Sequence, residues 1–148
     1  PIYRDLVLAR YRERSEALPG ALSVVTALRL SGQRLAVASS SIRPWVEACL
    51  DKIGLGSAFE LLITGSEIEN GKPDPEIYLL AAERLGLDPK ACLAFEDAPS
   101  GIESARAAGM TVWAVRTEYT RGLALPGPDR EFESLADVDI TDILGVAA

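Results

Sequence analysis

Apolar residues are spaced along this chain in two alternating rhythms. Four short runs rich in apolar and β-branched residues read as buried strands: RLAVASS at 34–40, FELLIT at 59–64, ACLAFED at 91–97 and TVWAVRT at 111–117. Between them the spacing changes to a helical period. Residues 43–53 place Trp45, Val46, Cys49, Leu50 and Ile53 on one face, 75–86 place Ile77, Leu80, Ala81 and Leu85, and 99–108 place Ile102, Ala105 and Ala108. Pro44 and Pro75 stand where first-turn prolines belong, and Gly32, Gly54, Gly86 and Gly109 stand where helices stop. Strands alternating with helices predict βαβ units in a Rossmann-like α/β fold, a mostly parallel sheet with helices on both faces.

The two ends of the chain depart from this pattern. Residues 1–17 read as a charged amphipathic helix lying outside the sheet layer, and LPG then leads into a second helix, ALSVVTALRLSG. Residues 121–139, rich in Pro and Gly, read as a long loop carrying short elements.

The length of 148 residues fits one domain large enough to bury a core, and 48% apolar with 25% charged residues describes a globular chain. No apolar run approaches the roughly 18–20 residues of a membrane span, and no secretory signal pattern is present, so neither membrane nor export is expected. A net charge of −7 argues against nucleic acid as a partner. Cys49 and Cys92 lack CxxC spacing and read as reduced core residues of a cytoplasmic protein. Histidine is absent, which excludes Ser-His-Asp and Cys-His systems and His-rich zinc sites. Chemistry on this chain must therefore use carboxylates, lysine, hydroxyls, backbone amides or a hard metal ion.

In open α/β sheets, ligands bind beyond the carboxyl ends of the strands. The first strand is followed by Ser39, Ser40 and Ser41 and then a helix start, which suits either an anion such as phosphate or simple serine capping. The second is followed by TGSEIENGKPDPEIY, where Lys72 sits between Asn-Gly and Pro, either as a positioned cation or as a lysine in a surface turn. This stretch is not a P-loop: five residues separate Gly65 from Gly71 where that motif has four, and Pro73 stands where Ser or Thr is needed. The third strand ends in Glu96 and Asp97. Adjacent carboxylates repel unless a cation joins them, and Mg²⁺ takes one or two carboxylates with water and phosphate oxygens. Helix initiation is the alternative, although Ser100 and Glu103 spell a capping box that does not need these two acids. Taken together, the three signals predict Mg²⁺-assisted phosphoryl chemistry at one edge of the sheet.

LAVASSS, NGKPDPEIY and CLAFEDAPSGIESARAAGM, in this order and spacing, resemble the haloacid dehalogenase-like hydrolases, nearest to the branch of beta-phosphoglucomutase and sugar-phosphate phosphatases. The resemblance covers roughly residues 18–120. It implies that Ser39 binds the transferring phosphoryl group, with Ser40 and Ser41 beside it. It also implies that Lys72 steadies the charge of nucleophile and phosphate, and that Glu96 and Asp97 ligate Mg²⁺. The substrate class it implies is a small phosphorylated metabolite, with transfer through an aspartyl-phosphate.

The family's nucleophile lies in an Asp-x-Asp-Gly-Thr sequence on its first, central strand, and nothing upstream of residue 34 matches it. DVDIT at 137–141 is the one look-alike, and it reads as an Asp-rich turn before a last helix rather than a permuted first strand. The expectation is a core at 18–148 lacking its central first strand, preceded at 1–17 by the last helix of a cap, as the C-terminal part of a longer enzyme. Such a chain alone would not turn over. The alternative is a non-catalytic phosphate- and Mg²⁺-binding descendant.

Overall fold

The computed structural model describes residues 2–146; Pro1 and residues 147–148, which the sequence places in the first helix and at the end of the core, lie outside the described residues. Its elements run in order as α1 (Ile2–Arg14), α2 (Ala21–Leu30), β1 (Ala36–Ser39), α3 (Arg43–Lys52), β2 (Leu61–Thr64), α4 (Glu76–Leu85), β3 (Leu93–Glu96), α5 (Pro99–Ala107), β4 (Thr111–Val115), β5 (Arg130–Phe132) and α6 (Ile140–Val146). The four strands and the helices between them lie where the hydrophobic periods place them, each trimmed by one to three residues at its ends.

All strand pairs are parallel, in two groups. β1 pairs with β2, in register from Ala36 opposite Leu61 to Ser39 opposite Thr64. β3 pairs with β4, from Leu93 opposite Thr111 to Glu96 opposite Ala114, and β4 pairs with β5. Among the described residues no ladder joins β1 to β3. Each therefore keeps one unpaired edge facing a gap in the middle of the sheet, at the position the sequence assigns to an absent central strand.

Alternation along β3 and β4 sends side chains to two cores. Ala94, Val112 and Ala114 pack with Ile63 and with Ile77, Ala81, Ile102 and Ala105 of α4 and α5. Trp113, on the opposite face, packs with Val24 and Leu28 of α2 and Ile143 of α6, next to Leu93, Phe95 and Phe132. Helices thus cover both faces. α1 lies outside these layers, packed on α3 with the Tyr11 and Trp45 rings stacked at 5.9 Å.

The long loop after β4 does carry short elements, β5 and a 3₁₀ turn at Leu135–Asp137. DVDIT runs from the last residue of that turn to the start of α6, where Asp139 accepts hydrogen bonds from the Thr141 N–H (2.9 Å) and hydroxyl (2.8 Å). It supplies no strand.

Ser100 and Glu103 do not form a capping box: α5 begins two residues before a Ser100 cap would place it, with Ala98 at the N-cap, Pro99 in the first turn and no side-chain cap. Pro99 pre-sets the first helical φ and has no N–H to satisfy, so the helix starts without a hydroxyl cap. A capping box does form after β2. There the Glu67 carboxylate accepts from the Thr64 N–H at 2.9 Å, and the Thr64 side chain caps in return.

Candidate functional site

The loop between β2 and α4 is braced from within. The Glu76 carboxylate accepts from the N–H groups of Glu69 and Asn70, both at 2.8 Å, and from the Asn70 amide at 3.0 Å. Asp74 accepts from the Glu76 N–H, and the fully buried Ser104 of α5 donates to the Asp74 carbonyl at 2.6 Å. Lys72, joined to Pro73 by a cis peptide, is held between these fastenings.

Its side chain points into the gap in the sheet. The Lys72 ammonium donates to the Ala38 carbonyl on β1 at 3.3 Å, to the Tyr78 hydroxyl at 3.3 Å, and to Glu96 Oε1 at the end of β3 in a close ion pair. With 12% of the Lys72 side chain and 8% of the Glu96 side chain exposed, this is a nearly buried pair and not a lysine in a surface turn. Lys72 therefore bridges the two strand edges that no ladder joins.

Tyr78 is the member of this cluster that sequence reasoning assigned no role. Its hydroxyl donates to the same Glu96 Oε1, and the Lys72 ammonium lies 4.9 Å from the centre of its ring. Burial first, then the negative charge of Glu96, holds its phenol well above the usual tyrosine range. A signal for it existed in the chain: a phenol on an otherwise aliphatic helix stripe needs a buried hydrogen-bond partner. Gly101 is the second such residue. A side chain there would collide with the Glu96 carboxylate, so only glycine lets α5 lie against it.

Asp97 follows directly and is exposed. Neither acid caps α5 through its side chain.

At the end of β1, Ser39 and Ser41 are partly buried and Ser40 is exposed; the Ser39 hydroxyl accepts from the Ser41 N–H at 3.2 Å. None of the three serines caps α3, whose N-cap is Ile42 without a side-chain hydrogen bond. The loop after β2 presses against this turn. Gly65 donates to the Ser41 carbonyl at 3.2 Å, and a Cβ on Gly65 would stand 2.5 Å from the Ser40 carbonyl. Behind it, Glu67 accepts from Arg84 (2.6 Å) and Arg43 (2.9 Å) as well as from Thr64. Arg84 foremost holds the Glu67 carboxyl down at about 2.

The fold thus brings the carboxyl ends of β1 and β3, Lys72 and Glu96 to one place, the point where the strand order reverses. As for a cation, the donor set is two hard carboxylates, one free in solvent and one sharing an oxygen with Lys72. Among the described residues no third acid, cysteine or histidine joins them. That set fits Mg²⁺, which uses few protein carboxylates and fills its remaining positions with water and phosphate.

The family profile described as haloacid dehalogenase-like hydrolase matches residues 2–109. The chain belongs to the haloacid dehalogenase-like hydrolases. Within this family it is 44% identical to the protein CbbY of Rhodobacter capsulatus, over 71% of this chain and 48% of that one. It is 41% identical to hexitol phosphatase A of Escherichia coli, over 67% of this chain and 45% of that one. The crystal structure of CbbY from Rhodobacter sphaeroides in complex with phosphate superposes on it with a TM-score of 0.86 at 29% identity, covering 92% of this chain and 64% of that one. The chain spans about half the length of these curated relatives. The doubly covered parallel sheet is the fold of this family.

Proposed function

We propose that these residues form the phosphate- and metal-binding half of a Mg²⁺-dependent phosphoryl-transfer site acting on a small phosphorylated metabolite of the sugar-phosphate type. One observation carries the reading: a nearly buried ammonium, Lys72, spans the gap between β1 and β3. A lysine fixed in this way places positive charge where a phosphoryl group and an attacking carboxylate would meet, and its stabilisation needs no rearrangement during reaction.

In this reading the hydroxyls and free N–H groups of Ser39, Ser40 and Ser41 bind the phosphoryl oxygens. Lys72 offsets their charge together with that of the nucleophile, and Glu96 and Asp97 hold Mg²⁺. When bound, the ion supplies Lewis-acid polarisation of the phosphoryl oxygens. The nucleophile is an aspartate on a segment outside these 148 residues, seated in the gap between β1 and β3. Its carboxylate attacks phosphorus as the bond to the substrate oxygen breaks, and the second aspartate of the Asp-x-Asp-Gly-Thr motif gives that oxygen its proton; water, giving a proton back to that second aspartate, then attacks the same phosphorus and releases phosphate and the nucleophile. Residues 1–17 are read as the last helix of a cap, which α1's position outside the sheet layers supports. The free thiols at Cys49 and Cys92 are consistent with a reducing, cytoplasmic setting. The name of hexitol phosphatase A supports the substrate class.

The test is hydrolysis of p-nitrophenyl phosphate by this chain joined to an upstream segment carrying Asp-x-Asp-Gly-Thr. Mg²⁺-dependent turnover, lost on changing the first aspartate to Asn and in Asp97→Asn, is expected, with none from the 148 residues alone. Turnover that survives Lys72→Ala and Asp97→Asn together contradicts the assignment.

A further inference from the structure

Glu96 offers its two oxygens unequally. Oε1 receives both the Lys72 ammonium and the Tyr78 hydroxyl. Among the described residues Oε2 has no hydrogen-bond partner, and no side-chain oxygen or nitrogen there is both fully buried and unpaired. Oε2 is therefore not fully shut from solvent, although only 8% of the Glu96 side chain is exposed, on the strand end that leads into the exposed Asp97.

The two partners on Oε1 differ in stiffness. Lys72 ends a flexible four-carbon stem whose donors rotate, so the ammonium can follow a shifting carboxylate. Tyr78 is a rigid ring with 7% of its surface exposed, packed in the α4–α5 core, and its single O–H points at Oε1. Gly101 lies against the whole carboxylate, Oε2 nearest, leaving it little room to turn.

Resting on the reading of Glu96 and Asp97 as a metal site, we infer that Tyr78 is a positioning residue that sets cation selectivity: by pinning Oε1 it restricts Glu96 to one-oxygen ligation through Oε2. Ca²⁺ readily takes carboxylates through both oxygens and fills six to eight positions at about 2.3–2.6 Å, whereas Mg²⁺ requires a compact octahedron at about 2.0–2.1 Å. A carboxylate confined to one oxygen disfavours the larger ion. Tyr78→Phe keeps the ring, its packing and its place beside Lys72 while releasing Oε1.

Calorimetric titration of the chain and of Tyr78→Phe with Mg²⁺ and with Ca²⁺, each protein first checked by circular dichroism, decides the matter. Removing an outer-shell partner of this kind costs about tenfold or more in metal affinity. The variant is expected to lose about tenfold for Mg²⁺ and less for Ca²⁺, so that the Mg²⁺ preference narrows. Lys72→Met retains the Tyr78 hydrogen bond and is expected to keep the preference even though its overall affinity changes; it also serves if Tyr78→Phe fails to fold. An unchanged Mg²⁺-to-Ca²⁺ ratio in Tyr78→Phe, or a collapsed one in Lys72→Met, overturns the assignment of Tyr78 alone. No binding of Mg²⁺ to the unaltered chain overturns the metal reading and this inference with it.

Discussion

Replacing Lys72 by Met should destabilise the chain far more than an ordinary lysine substitution. Glu96 has 8% of its side chain exposed, and its bonds are to Lys72 and Tyr78. Removing the ammonium leaves a nearly buried carboxylate with one neutral donor. Breaking a buried ion pair from one side costs about 3–5 kcal/mol, and the retained Tyr78 hydroxyl puts this case at the low end, about 3 kcal/mol. Glu96→Gln strands the ammonium less severely, because the Ala38 carbonyl and Tyr78 hydroxyl remain at 3.3 Å; hydrogen bonds to charged groups suggest about 2 kcal/mol. The double variant removes both charges and should recover about 2 kcal/mol of the summed loss. Urea unfolding followed by the fluorescence of Trp113, which is 1% exposed, reads these values. With a slope of about 2 kcal/mol per molar urea, Lys72→Met should lower the midpoint by about 1.5 M. Additivity of the two single effects to within about 0.5 kcal/mol would mean that Lys72 and Glu96 carry no coupling, against the structure's nearly buried pair.

Other outcomes follow from the same packing and charges. Ile77→Ala, at a fully buried position of α4, should cost about 2–5 kcal/mol in the same urea experiment. Gly101→Ala ordinarily favours a helix, but here the added methyl meets a Glu96 carboxylate pinned by Lys72 and Tyr78, so thermal unfolding should show a loss of about 1–3 kcal/mol rather than a gain. The Glu67 carboxyl, held down at about 2 chiefly by Arg84, contributes stability that is complete above its ordinary value of 4.5 and is lost as pH falls from there toward 2. Glu67→Gln should therefore flatten the decline of stability measured between pH 5 and pH 2.

The alternation of strand and helix was legible because parallel strands buried on both faces are apolar throughout, and the helices between them show the 3.6 period. Lys72 and Glu96 were legible as chemistry because Glu96 ends β3 and Lys72 lies in the loop that follows β2, and strand ends of a parallel sheet converge. Tyr78 was not, because a tyrosine among Ile77, Ala81 and Leu85 on an amphipathic helix has the pattern of core; only the fold shows that its hydroxyl reaches a carboxylate on another element. Capping was misassigned for a related reason. Ser100 and Glu103 have the right spacing, but Pro99 had already fixed where α5 begins, while the capping box at Thr64 and Glu67 follows a strand and precedes only one 3₁₀ turn. The Glu67–Arg84–Arg43 network joins residues 17 and 24 positions apart, beyond any local pattern. The gap between β1 and β3 was inferred from a missing motif, and the structure adds what bridges it.

If the proposed function holds, the carboxyl ends of β1 and β3 with Lys72 bind phosphate and metal ion together. The most direct measurement is an amide NMR titration of the isotope-labelled chain with Mg²⁺ and inorganic phosphate. Shifts concentrated at Ser39, Ser40, Ser41, Lys72, Glu96 and Asp97, strongest when both are present and lost in Asp97→Asn, are expected. Shifts centred instead on Arg43 and Arg84, or none at millimolar ligand, contradict the proposed function.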